Sequence, residues 1–333
     1  MTIVRKSQLF WGRSGPLHNH IIPSAECCNH QTQANNMRTQ SAMAFARPAL
    51  LTGISELSGA YDGFITDLFG VVHNGETAFA GAIDCLAHLI ARRKRVVLLS
   101  NSPRRKQEVS DHLLGMGISD ALYDGLITSG ELVFEALSGT ESGGRLQLGR
   151  RFYHMGPRVL SKLMAGTGKR AVTAVKNADF VLVTGALEEQ TLVERDALLH
   201  ACHDRGLPMI CANPDLQVLI GDRRLECAGA IAARYETIGG KAWYFGKPHQ
   251  QAYAKALGVL ALPPSSVVCI GDGLNTDVLG ANRSGIDAVL VMGGIHQSEL
   301  WSRQDGDIDW EQLDDLIFLH QANPRFITSS LSW

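Results

Sequence analysis

The sequence predicts an α/β protein built on a parallel sheet, with a second α/β unit inserted into it. Three observations predict this. Short apolar runs alternate with amphipathic helical stretches from about residue 61 onward, the pattern of strands joined by helical crossovers. Four of these runs end in residues with chemical capability: Asp67, Ser100, Lys247 and Asp272. About 150 residues separate Ser100 from Lys247, too many for one crossover, so an inserted domain of roughly 90–100 residues is expected between them.

Taken in order, Phe64-Ile65-Thr66 is a strand leading into Asp67, and Ile83, Leu86, Leu89 and Ile90 recur at helical spacing. Val96-Val97-Leu98-Leu99 is continuously apolar, as a strand buried on both faces should be. A helix beginning near Pro103 follows, with Ser102 at its cap and Val109, Leu113 and Leu114 on its apolar face. Ser138 to Gly149, rich in Gly and Ser, reads as a surface loop. The middle of the chain carries a strand over Phe180 to Val183, a helix over Leu192 to His203 and a strand over Pro208 to Ala212. The core pattern resumes with Trp243-Tyr244-Phe245. It continues through a helix from about His249, a strand Val267 to Ile270, a helix Thr276 to Ser284 and a strand Ala288 to Val291. A last helix spans Trp310 to His320, and Trp333 is read as docking on the core or serving an interface. The expected partition is residues 1–57 as a disordered N-terminal extension, 58–135 with 230–300 as a discontinuous core, 136–229 as the cap, and 301–333 as a C-terminal helix and tail on the core.

With 333 residues, 45% hydrophobic and 19% charged, the chain has the composition of an ordinary soluble protein. A net charge of -2 points to neither nucleic acid nor an anionic membrane as partner. No apolar run approaches the roughly 20 residues of a spanning helix. Seven scattered cysteines without a C-x-x-C pair argue against structural zinc or a disulfide framework and fit a reducing, cytoplasmic setting. The first 55 residues hold Arg5, Lys6, Arg13, Arg38 and Arg47 against one acid, Glu26. They read as a disordered tail or as sequence ahead of a later start at Met37 or Met43. An organellar transit peptide is the other reading. His18, His20 and His30 with Cys27 and Cys28 offer only adventitious metal binding there.

The chemistry lies at the strand ends, where ligands bind in parallel sheets. Taken alone, Asp67 reads as a turn cap; with the others it reads as a nucleophile able to attack phosphorus. Ser100, Asn101 and Ser102 place hydroxyl and amide groups ahead of a helix, suited to a phosphate oxygen. Lys247, fixed between Gly246 and Pro248, can hold a carboxylate and a phosphoryl group together. Asp272 and Asp277 flank Gly273 and Asn275, a carboxylate pair suited to Mg²⁺. Asp272 reads as a direct ligand and Asp277 as a partner acting through water or another group.

The set resembles the haloacid dehalogenase-like (HAD) hydrolase superfamily, specifically its class IIA, the NagD-like and 4-nitrophenylphosphatase-like group. The resemblance covers about residues 58 to 295. It includes Val71-Val72-His73-Asn74-Gly75, Ala212-Asn213-Pro214-Asp215, Ala228-Gly229-Ala230-Ile231-Ala232 and Phe245-Gly246-Lys247-Pro248-His249. It implies a Rossmann-like core with an inserted α/β cap, and Mg²⁺-dependent hydrolysis of phosphate esters through an aspartyl-phosphate. It assigns Asp67 as nucleophile, Ser100 and Lys247 as phosphate binders, and Asp67, Asp272 and the main-chain carbonyl of Phe69 as metal ligands. It also brings the cap loop of Asn213 and Asp215 to the active site, and caps of this class often mediate homodimers.

One group departs from the pattern. Family phosphatases usually carry Asp two residues after the nucleophile, as acid and then base; here Phe69 stands there. Loss of such help typically costs about 10²–10⁴-fold in rate. His73 is the candidate replacement read from sequence, against a polar turn residue facing away. The expected function is therefore hydrolysis of a small phosphorylated metabolite, with low turnover as one outcome of Phe69. The alternative is a catalytically weakened protein that binds a phosphorylated ligand in a regulatory role. Gly166-Thr167-Gly168-Lys169-Arg170-Ala171 matches a dinucleotide fingerprint by letters, but it follows a helical stretch and reads as a helix end.

Overall fold

The computed structural model describes residues 47–139, 146, 148–186, 191–220, 223–301 and 307–333. Residues 1–46, with the histidines and cysteines noted there, and most of the Gly/Ser-rich segment within 138–149 lie outside the described residues. Among the described residues no helix is long and apolar enough to cross a membrane.

Fourteen strands are present among the described residues. In chain order they are β1 (Ala49–Leu50), β2 (Gly63–Thr66), β3 (Arg95–Ser100), β4 (Gly125–Thr128), β5 (Arg151–Met155), β6 (Arg170–Val172) and β7 (Phe180–Val183). They continue as β8 (Met209–Cys211), β9 (Gln217–Ile220), β10 (Arg223–Glu226), β11 (Ala242–Tyr244), β12 (Val267–Gly271), β13 (Asp287–Val291) and β14 (Phe326–Thr328). Seven form one sheet in the order β1-β14-β13-β12-β2-β3-β4, with every pairing parallel. A second parallel sheet, β11-β8-β7-β5-β6, is built from the middle of the chain, and β9 and β10 form a separate antiparallel hairpin. The α/β, Rossmann-like architecture with its inserted α/β unit is thus present.

The central strands are buried throughout, which explains their unbroken apolar runs. Every residue of β2 and β12 is buried, as are Val96 to Leu99 of β3. Phe64, Leu98, Ile270 and Val289 pack under the helix Ala80–Ala91, whose Ala82, Cys85, Leu86 and Leu89 face the sheet at helical spacing. In the inserted unit, Val181, Val183, Met209 and Cys211 pack against the helices Leu192–His203 and Ala228–Thr237 through Leu199, Cys202, Ile231 and Tyr235. Thr191 and Glu194 cap the first of these reciprocally. The five cysteines among the described residues are buried thiols with no disulfide.

Four expectations need correction. Residues 49–57 are not part of a disordered extension: β1 pairs with β14, and Ile54 and Leu57 are buried in the core. The C-terminal tail does more than pack on the core, because β14 enters the large sheet between β1 and β13. The inserted unit does not end at residue 229. The helix Ala228–Thr237 belongs to its core, and β11 pairs with β8, so the Trp243-Tyr244 run is its edge strand. An apolar run reads alike in either sheet, and only the pairing distinguishes them. Finally, the helix expected from Pro103 starts at Lys106; Ser102 Oγ accepts from Arg104 N–H instead, and Glu131 accepts the Lys106 N–H.

Three other readings agree with the structure. Helices span Leu192–His203 and Trp310–His320. The letters from Gly166 follow a 3₁₀ turn, Arg158–Met164, and bend with positive φ at Gly166 and Gly168 before β6. They do not open a helix. Trp333 docks: its ring stacks on His88 at 5.1 Å, with the Arg92 guanidinium 4.4 Å from its centroid.

Candidate active site

The carboxyl ends of β2, β3, β12 and β13, the four adjacent central strands, meet one cleft of about 730 Å³. Asp67 follows β2 directly, and its N–H donates to Ile270 O on the neighbouring β12 at 2.8 Å. Ser100 ends β3, Asp272 follows β12, and Gly293-Gly294-Ile295 follow β13. Lys247 arrives from the other sheet, three residues past β11.

These groups converge. Lys247 Nζ donates to Asp67 Oδ1 at 2.5 Å and to Asp277 Oδ1 at 2.8 Å, and all three side chains are buried. Oxygens of Asp67, Asp272 and Asp277 lie within 4.8 Å of one another. Asp272 Oδ2 accepts from Ile295 N–H at 2.8 Å, and Asp277 Oδ2 accepts from Gly273 N–H at 3.2 Å. Three buried carboxylates thus face one ammonium. Burial lifts Asp67 well above the usual carboxylate range; Lys247 opposes this, and Asp277 and Asp272 add to it. Burial and the neighbouring Asp277 carboxylate push Asp272 up to about 7. Burial works against the Lys247 charge, but Asp277, Asp67 and Asp215 together hold it above the ordinary lysine value. This excess of buried negative charge, in hard oxygen donors, suits a divalent cation.

Local sequence explains the placement. Gly70 has φ +82°, and a Cβ there would lie 2.1 Å from Asp272 Oδ2. Gly246 has φ +120°, and its Cβ would lie 2.0 Å from Ser129 Oγ and 2.3 Å from Asn101 Oδ1. Both turns therefore require glycine for backbone conformation and for close approach.

The remaining sequence-derived residues divide by what their atoms do. Ser100, Asn101, Ser102, Asn213 and Asp215 all line the cleft. Ser100 Oγ accepts from Ser102 N–H at 3.2 Å. The Asn101 amide is saturated. Its oxygen accepts from Lys247 N–H at 2.7 Å and Ser129 Oγ at 3.2 Å, and its nitrogen donates to Lys247 O at 3.1 Å and Asp215 Oδ1 at 2.8 Å. With all four hydrogen-bonding positions used, this side chain holds the lysine loop and has none left for phosphate. Asn213 Oδ1 accepts from Asp215 N–H, closing the turn that brings Asp215 inward. Burial raises the Asp215 carboxyl above its ordinary value, against the pull of Lys247.

Phe69 lines the cleft, and its ring fills the space beside Gly75. His73 is not brought to the cleft. It is buried with its ring edge-on to Phe69 at 5.6 Å, and its Nδ1 accepts from Gly75 N–H at 2.9 Å. Burial, then the nearby His112, hold it down at about 4. Buried in this turn, with Nδ1 taken up by Gly75 N–H and the ring outside the cleft lining, His73 is not placed to serve a substrate as acid or base.

Sequence reasoning missed the wall formed after β13. Gly293, Gly294, Ile295, His296, Gln297 and Glu299 line the cleft, joined by His320 and Phe79. The signal was present, because Gly293-Gly294 follows an apolar strand just as Asp67 and Asp272 do.

A haloacid dehalogenase-like hydrolase family model matches residues 64–170, and a HAD-hydrolase-like model matches residues 244–317. A haloacid dehalogenase-like family hydrolase from Brucella suis 1330 is 32% identical in sequence. Its structure superposes with a TM-score of 0.70 over 86% of this chain and 100% of that one. The acid sugar phosphatase of Staphylococcus haemolyticus is 26% identical over 247 residues, 74% of this chain and 90% of its own length. The ribonucleotide monophosphatase NagD of Escherichia coli K12 is 27% identical over 237 residues, 69% of this chain and 87% of its own. The chain belongs to the haloacid dehalogenase-like hydrolases, in the class IIA group of NagD, and is a phosphoric monoester hydrolase of that family.

Proposed function

We propose that this protein is a Mg²⁺-dependent phosphatase that hydrolyses a small phosphorylated metabolite through an aspartyl-phosphate on Asp67. The observation that carries the reading is the convergence of Asp67, Lys247, Asp272 and Asp277 at one end of the sheet. Asp67, Asp272 and the Phe69 carbonyl would hold the cation, with Asp277 acting through Lys247 and the loop it fixes. Bound there, the ion would neutralise charge on the phosphoryl oxygens.

The chain's own groups supply the rest. Asp67 is held on the end of a buried strand, so it meets phosphorus without conformational cost. Lys247, itself anchored by Asn101, bridges the nucleophile and the developing charge. Ser100 offers its hydroxyl to a phosphate oxygen. The Asn213–Val218 segment of the inserted unit forms the opposite wall and contacts the rest of the substrate. A cleft of about 730 Å³ fits a ligand of sugar-phosphate or nucleotide size, the substrate classes named for the acid sugar phosphatase and NagD.

Phe69 favours a second reading, a weakened enzyme that retains a phosphorylated ligand in a regulatory role, because residue 69 has no proton to give. Phosphate release from 4-nitrophenyl phosphate with and without Mg²⁺, compared with Asp67→Asn, separates the two. Mg²⁺-dependent release abolished by the substitution supports the phosphatase. Release indifferent to both removes it.

A further inference from the structure

Among the described residues, five carboxyl groups line the cleft, those of Asp67, Asp215, Asp272, Asp277 and Glu299, with one lysine and no arginine. That lysine, Lys247, is already bonded to Asp67 and Asp277. The two histidines of the lining do not change this balance. His296 faces Glu299 at 2.8 Å, and burial holds His320 below the ordinary histidine value. A phosphoryl group can meet Lys247 and the cation proposed above. A second anionic group on the same substrate would find no cationic side chain and would face carboxylates instead. An uncharged leaving group meets no such penalty.

Large apolar side chains line the same cleft from both units. Phe69 and Phe79 come from the core, and Leu216 from the inserted unit. Phe79 is 39% exposed and Leu216 46%, so neither is packed away in a hydrophobic core. Their backbones are fixed all the same. Phe69 and Phe79 stand at the two feet of a folded loop. Within it Gly70 N–H donates to His73 O at 2.8 Å, Asn74 N–H to Thr77 O at 3.1 Å and Phe79 N–H to Val72 O at 2.9 Å. The Phe69 ring lies against Gly75, where a Cβ would come 2.8 Å from its Cε2, and edge-on to His73. On the other wall, Cys227 N–H donates to Leu216 O at 2.9 Å and Gly229 N–H to Asp215 O at 3.1 Å. These bonds tie the Leu216 loop to the start of the helix Ala228–Thr237. Walls held in place this way bind an apolar partner with little cost in ordering.

We propose that Phe69, Phe79 and Leu216 select a phosphate monoester whose leaving group is uncharged and carries an apolar ring. This rests on the phosphatase reading above and narrows its substrate. The phosphoryl group lies at Asp67 and Lys247. The ring extends past Phe69, two residues beyond the nucleophile, toward the exposed Phe79 and Leu216. Position 69 is then a wall of the leaving-group site. Burying such a ring corresponds to a preference of about 10–100-fold over a polyol of similar size.

The test compares kcat/KM for benzyl phosphate, glycerol 3-phosphate and phosphoglycolate, all esters of primary alcohols, by phosphate release with Mg²⁺. The parent should prefer the benzyl ester to the glycerol ester by about 10–100-fold and take phosphoglycolate least well. Phe69→Ala, Phe79→Ala and Leu216→Ala should each cut the benzyl-to-glycerol ratio by about 3–10-fold, with the loss in KM. Leu216→Lys should raise phosphoglycolate against the benzyl ester by about 5-fold. Ratios between esters do not depend on the fraction of folded protein, so destabilisation cannot imitate these results. Equal use of the three esters, or a ratio that the alanine variants leave in place, overturns the proposal. Binding of 2-phenylethylphosphonate and 2-carboxyethylphosphonate, measured by calorimetry with Mg²⁺, reads the same preference without turnover. Tighter binding of the phenyl compound, lost in Phe79→Ala, supports selection by these side chains, and equal binding of the two overturns it. Phosphate release that survives Asp67→Asn overturns the phosphatase reading instead.

Discussion

Gly294→Ala isolates the fit between the Asp272 carboxylate, proposed above as a metal ligand, and the strand end behind it. Gly294 has no left-handed φ, so alanine meets no backbone strain there. Its Cβ would nevertheless lie 2.1 Å from Asp272 Oδ2 and 2.3 Å from Asp272 Cβ. Ordinary contact requires well over 3 Å, so the carboxylate must retreat by about 1 Å. That oxygen also accepts from Ile295 N–H at 2.8 Å, and the retreat breaks this bond. Mg²⁺ tolerates little deviation from ligand distances of about 2.0–2.1 Å. Disturbing the support of a metal ligand typically costs about 10–100-fold in affinity, and overpacking costs about 1–3 kcal/mol of stability. The assay is phosphate release titrated with Mg²⁺, alongside thermal melts with and without the ion. Half-saturation should rise by that factor, and the Mg²⁺-induced gain in melting temperature should shrink. Gly258→Ala is the control: it lies in the helix Gln250–Leu260 with nothing within 4 Å of its Cβ, so it should stabilise slightly and leave Mg²⁺ dependence alone. Unchanged Mg²⁺ half-saturation in Gly294→Ala would refute the placement of the ion at Asp272.

Two further outcomes follow from the same structure. His73 is held at about 4 by burial, below the value near 6.5 of an unfolded histidine. A depressed histidine stabilises the fold fully above the unfolded value and loses that contribution as pH falls through about 4, an effect on the order of 3 kcal/mol in all. Between pH 7 and 4.5 the parent should therefore lose about 2 kcal/mol more than His73→Gln in urea melts; parallel losses would contradict the burial argument. Asn101→Ala strands the buried N–H and C=O of Lys247, at about 2–4 kcal/mol together. It should also lower kcat through a loosened lysine, which urea unfolding and phosphate release would register; unchanged kcat would mean Lys247 is held by its carboxylates alone.

The fold was legible wherever burial dictates composition. Strands covered on both faces must be apolar throughout, so β2, β3, β7, β12 and β13 stand out in the sequence. The helices Leu192–His203 and Trp310–His320 declare themselves by a 3.6-residue period. Edges were not legible. β1 is two residues long and β14 three, and both gain their structure from each other across nearly the whole chain. β11 is half-buried, and nothing local says which sheet it joins. Such elements exist through long-range pairing, for which a local window carries no signal.

The site shows the same division between what a residue is and what its neighbours leave it free to do. Asp67, Lys247 and Asp272 could be found because each ends an apolar run and carries charge. The roles of Asn101 and His73 could not, because they depend on hydrogen bonds made across the fold. Asn101 spends its amide on a loop 146 residues away, and His73 spends Nδ1 on its own turn. Phe69 makes the point sharpest. A metal contact through its carbonyl requires only the backbone, and the backbone of this turn is fixed by Gly70 N–H donating to His73 O at 2.8 Å. A phenylalanine at this position therefore supplies no proton while leaving Asp67, Lys247, Asp272 and Asp277 in place.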